Sequence, residues 1–174
     1  VWPLLAGSPP LGRGCRTGLR GRRLSLWDHA VRAYAAPRVE AICLALQDDH
    51  GQCVPLLLWA AWARPADPDV IAGAAGLARA WTAAAITPLR HARRALKADL
   101  PGIAAEPRLA LRGRIKAAEL EAEKLILDAL EPLSPPSTDD LCAALAACAA
   151  AWGDPPPPAI LFSLAEALRG AARL

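Results

Sequence analysis

Seventeen prolines punctuate this chain of 174 residues, and between them apolar side chains recur every three to four positions. Proline is tolerated in the first turn of a helix and stops one elsewhere, so the chain reads as a series of short helical segments. Composition agrees. There are 41 Ala and 28 Leu, but only 12 Val plus Ile, four Thr, one Tyr and one Phe. A sheet draws on the β-branched and aromatic residues that are scarce here. The expected fold is all-α, a single-domain bundle of six or seven helices.

The segments have legible starts and stops. Ser25 with Asp28 three residues on makes a capping-box-like start, followed by Trp27, Ala30, Val31 and Tyr34 on one face, which predicts a helix over 26–36. Pro37 opens a second helix over 37–49, striped by Val39, Ile42, Cys43 and Leu46 and stopped by Gly51. Leu56–Arg64 is apolar on every face, as expected of a central, buried helix. Asp67-Pro68 caps a long stretch that Pro88 either kinks or restarts, ending near Lys97. Leu100–Pro107 reads as a turn, and 109–133 as an amphipathic helix. Thr138 is the expected cap of a sixth helix through Leu141, Leu145, Cys148 and Trp152, and a final helix covers 159–172. The expected core comprises Trp27, Val31, Val39, Ile42, Leu46, Leu57, Trp62, Trp81, Ile115 and Ile126.

The net charge of +3 is unevenly distributed. Residues 1–23 hold five arginines and no acid, leaving 15 Lys and Arg against 17 Asp and Glu in residues 24–174. Rich in Gly and Pro and without apolar periodicity, the segment 1–23 is expected to be a disordered or mis-annotated extension, with the helical domain at 24–174. Its Leu4 and Leu5 precede the arginines, the reverse of a secretory signal. The longest uncharged apolar stretches, 54–63 and 141–153, fall short of the ~20 residues that span a bilayer, so no membrane association is expected. Five scattered cysteines in a chain with no export signal are expected to be reduced thiols in a cytoplasmic protein.

A set of residues in the first half has a wider resemblance. Leu26-Trp27, Tyr34, Pro37-x-Val39-Glu40, Cys43-Leu44-x-Leu46-Gln47-Asp48, Gly51 and Leu57-Leu58-x-x-x-Trp62 resemble an uncharacterised family of small proteobacterial helical proteins, a domain of unknown function. The resemblance covers 24–100 well, extends loosely through Glu119–Glu123, and implies a bacterial cytosolic protein without implying an activity.

Three clusters carry candidate chemistry. Cys43, His50 and Cys53 fit no standard zinc spacing, and Cys43 sits on an apolar stripe, so no metal is expected. Gln47 and Asp48 lie at the end of the second helix, where carboxylates oppose the helix dipole, and form a candidate ligand-orienting pair beside Trp59 or Trp62. Arg90, Arg93, Arg94 and Lys97 line one side of a helix. If 100–107 reverses the chain, Arg90 falls within reach of Glu119, and the same register carries Trp81 toward Ile126. No Gly-rich phosphate loop, nucleophile elbow or His-Glu-x-x-His is present, and no cofactor is expected. Nucleic acid fits poorly with the net acidity of 24–174. The favoured reading is a non-enzymatic interaction or regulatory module whose basic stripe receives an acidic protein segment. The alternative is a small-molecule protein or enzyme with an anionic ligand held near Gln47, Asp48 and Arg90.

Overall fold

The structure, a computed structural model, describes residues 24–133 and 137–171. The expectations for residues 1–23 and for Cys15 lie outside the described residues. Among the described residues there are seven continuous helices and no strand: α1 (Leu26–Tyr34), α2 (Pro37–Asp48), α3 (Val54–Ala63), α4 (Pro68–Ala95), α5 (Ala105–Leu130), α6 (Leu141–Trp152) and α7 (Pro158–Ala171).

Local chemistry sets the ends. The Ser25 hydroxyl accepts the Asp28 N–H at 3.1 Å, fixing the start of α1. Gly51, at φ 62°, takes the left-handed conformation that lets the Gln52 N–H reach back to the Leu46 carbonyl at 2.9 Å and close α2. Asp67 caps α4 through the Asp69 and Val70 amides. The cap of α6 is Asp140, not Thr138: the Asp140 carboxylate accepts from the Cys142 and Ala143 amides, while the Thr138 hydroxyl accepts from the Asp140 amide. Likewise α5 starts at Ala105, four residues before its expected start, because Pro107 falls in the first turn, where its missing N–H costs no bond.

Pro88 neither ends α4 nor starts a new helix. The five residues Thr82–Ile86 form a π-helical turn, and the helix continues to Ala95. Proline has no N–H to give the carbonyl four residues back and its ring clashes there, so one wide turn absorbs the conflict. The resulting 28-residue helix is long and apolar enough, by length and composition, to cross a membrane. Arg79 interrupts it, which is why a search for uncharged stretches passes over it.

The core is built around α3, which packs against α1, α2, α4, α5 and α6. All of its residues are buried except Trp62, which is half-buried. Trp59, Leu56, Leu57, Leu46, Val39, Ile126, Leu127, Leu130, Leu145 and Leu164 are fully enclosed. Of the expected core, Val39, Leu46, Leu57 and Ile126 are buried, while Trp27, Ile42, Trp62 and Trp81 pack against the core from its rim and Val31 and Ile115 are also half-exposed. The rim tryptophans keep their indole N–H groups toward acceptors: Trp62 donates to the Leu24 carbonyl at 2.9 Å, Trp81 to Ala122 at 2.8 Å and Trp152 to Gly51 at 2.8 Å. Trp81 therefore meets α5 one turn before Ile126.

Candidate functional site

The second half of α4 and α5 form an antiparallel hairpin, joined by residues 96–104 and turned at Gly102, which has φ 81°. This hairpin carries most of the residues singled out from sequence, and the structure divides them into three groups.

Arg90 and Arg93 converge on Glu119. The Arg90 Nε donates to Glu119 Oε1 at 3.0 Å and its Nη2 to Glu123 Oε1 at 3.3 Å. Arg93 grips Glu119 from the other side through Nε to Oε2 and through Nη2 to Oε1. Glu119 is 3% exposed and Arg93 9%. Burial pushes the Glu119 carboxyl up, but the hydrogen bonds from Arg93 and then Arg90 outweigh it and hold it below the usual carboxylate range. The charges of this junction cancel within the molecule.

Gln47, Asp48 and Arg94 form a chain at the surface. The Gln47 amide donates to Asp48 at 3.0 Å, and Arg94 donates to the same carboxylate at 2.8 Å, with both Arg94 and Asp48 about half-exposed. These bonds, first from Gln47 and then from Arg94, hold Asp48 below its ordinary value. Gln47 also faces the buried junction, where Tyr34, Val54, Pro55, Arg90 and Glu123 enclose about 10 Å³. That space suits about one water, whereas ligand pockets run to about 300–1,000 Å³. Neither Trp59 nor Trp62 lines it. Beside it Tyr34 and Cys43 share a hydrogen bond, and burial pushes the Cys43 thiol up to about 12 and Cys53 to about 11. These are inert, protonated thiols rather than nucleophiles. Among the described residues no three His, Cys, Asp or Glu side chains are grouped to hold a metal ion.

Lys97 makes up the third group, exposed and without an ion pair among the described residues, and the structure adds companions that the sequence reading missed. Arg112, Arg114 and Lys116 on α5 face no acidic partner among the described residues either. Arg108 is different: it is buried, and donates to the Leu96 and Lys97 carbonyls at 2.7 and 3.2 Å and to Asp99, closing the end of α4 from across the hairpin. The signal was present as a count. Residues 90–116 hold eight Lys and Arg against Asp99 and Glu106, whereas the rest of 24–174 holds seven against 15 acids. From Lys97 to Ala110 only Arg108 is buried, so the end of the hairpin is an arm that stands off the core, itself balanced in charge, with Lys97 on one side of its base and Arg112, Arg114 and Lys116 on the other.

No curated protein and no solved structure matches the chain. One family does, over residues 25–130, a span that begins at the Ser25 cap and ends with α5, taking in the junction and the whole arm. The match covers well over half of the chain, and the protein therefore belongs to the family described as protein of unknown function (DUF2390).

Proposed function

We propose that this is a non-enzymatic, cytosolic interaction module that presents the α4–α5 arm to an acidic protein segment. The observation that supports it is the set of cations at the base of the arm, Lys97, Arg112, Arg114 and Lys116, that make no ion pair among the described residues. Such a field steers association with acidic surfaces and weakens with salt. The small-molecule reading is less well supported, because Arg90 and Arg93 are taken up by Glu119 and the space beside Gln47 admits about one water.

The test is capture from native extract by immobilised wild type and by Lys97→Glu/Arg114→Glu/Lys116→Glu, leaving Arg90 and Arg93 intact so that the fold is preserved. A partner retained by wild type, lost by the variant and released by salt is expected. Identical retained sets would remove the reading.

A further inference from the structure

Charge is only half of what the arm exposes. Leu100, Ile103, Leu109 and Leu111 are 44%, 56%, 50% and 40% exposed, and together they are half of the large apolar side chains that stand exposed in the described structure. Leu109 and Leu111 are two apart on α5, about 200° around the helix, so they face opposite sides of the arm. A flat bilayer meets only one of those sides. Inserting the tip end-on would carry the exposed Asp99 and Glu106 carboxylates into hydrocarbon, at a cost that disfavours it. A concave protein surface, apolar within and acidic at its edge, meets all four apolar side chains and the cations together.

The molecule has such a surface. Between the first half of α4 and α6 runs an open groove of about 380 Å³, lined by Pro65, Ala66, Ile71, Ala143, Ala147 and Ala151. Alanines on α6 keep it wide and its walls apolar. The chain segments lining one end carry four exposed aspartates, Asp67, Asp69, Asp139 and Asp140. Asp67 and Asp140 are engaged as helix caps, whereas Asp69 and Asp139 have no ion pair among the described residues.

The arm cannot reach its own groove. Ile71 and Ala95 stand on the same helix 24 residues apart, roughly 35 Å at 1.5 Å per residue, and that helix is continuous. We propose that the groove of one copy receives the Leu- and Ile-tipped arm of a second copy, with the cations at the arm's base against the aspartates at the groove's end, so that the acidic partner of the arm is the protein itself. This rests on reading the arm as a partner-binding surface and goes further by naming the partner. Apolar burial at the tip supplies the affinity, and the opposed charges set orientation and exclude arm-to-arm contact.

Sedimentation velocity on the full chain, from dilute solution to about 100 μM at low and high salt, tests it against the micromolar affinities that modest interfaces reach. Wild type is expected to self-associate with concentration, and less so in salt. Ile103→Ser/Arg114→Glu on the arm and Ala147→Arg in the groove are each expected to weaken association at least about 10-fold. All three residues are exposed, so the variants should melt as wild type does; if either does not, Lys97→Glu and Asp69→Lys replace them. An equimolar mixture of the arm and groove variants keeps one good arm and one good groove, and is expected to regain association. A wild type monomeric throughout, or variants that associate as wild type does, overturns the proposal. If that monomer still captures another protein through Lys97, Arg114 and Lys116, self-recognition fails and the interaction reading stands; if it captures nothing, both fail.

Discussion

Arg93 and Glu119 are bound to one another in the buried seam between α4 and α5, while Arg94, one residue on, reaches outward to Asp48. Two neighbouring arginines thus have opposite energetic roles. An ion pair removed from water leaves a costly unpaired charge when one member is deleted, whereas an exposed pair is screened and contributes little.

Glu119→Gln is expected to lower the free energy of unfolding by about 3–5 kcal/mol, because it leaves Arg93 buried without a countercharge and deprives Arg90 of its main partner. Chemical denaturation measures this directly. A loss below about 1 kcal/mol would mean that water reaches the junction freely.

Arg94→Ala is expected to change stability by less than about 1 kcal/mol, since the Arg94 and Asp48 side chains are 53% and 48% exposed. Arg93→Ala in the same assay should cost several-fold more. Equal effects would contradict the geometry described for these two positions.

How much of this was legible in the sequence varies residue by residue. Helical periodicity places Arg90, Arg93, Arg94 and Lys97 on one side of a helix, and the Leu100–Pro107 turn brings Arg90 toward Glu119. Periodicity is a property of one helix alone, however, and cannot say that Arg93 faces α5 while Arg94 faces α2. Thr138 and Asp140 are both good capping residues, and only backbone geometry assigns the α6 cap to Asp140. The groove left no local trace: its walls, near Ile71 and Ala147, are distant in sequence and meet only through tertiary packing.

Stability should fall at both ends of the pH scale. Glu119 ionises in the folded chain below its ordinary value of 4.5, so its contribution is complete above that value and is lost as pH falls through the folded value. Cys43, Cys53 and Cys148 are pushed by burial from 9.0 to about 12, 11 and 12. The unfolded chain gives up these protons first, so their contribution is complete below pH 9 and declines as pH rises toward the folded values. Denaturant midpoints across pH 3–11 should form a plateau with two falling edges, and Cys148→Ala should flatten the alkaline one relative to its own plateau. An alkaline edge unchanged in that variant would assign it to other groups.

Arg79 links the middle of α4 to the end of α6. Its guanidinium donates to the Ala151 and Trp152 carbonyls at 2.8 and 2.9 Å and lies 5.6 Å from the centre of the Trp152 ring. Arg79→Ala is expected to cost about 1 kcal/mol, from exposed hydrogen bonds and a partly solvated cation–π contact. Trp152 emission should change with the loss of the nearby charge. An unchanged stability would show that solvent replaces both carbonyl bonds at no cost.

The π turn at Thr82–Ile86 makes α4 a two-part gear. Each half presents its own face, and the wide turn takes up the extra residue between them: the first half toward α6 and the groove, the second toward α5 and Glu119. Deleting one alanine from this turn would remove the extra residue and leave both faces nearly in place, whereas deleting a residue elsewhere in α4, where the pitch is already α-helical, would turn everything beyond it by about 100° and swing Arg90 and Arg93 off Glu119. A change of one residue in length, usually harmless in a surface loop, would re-index half of the molecule against the other anywhere in α4 but at this turn.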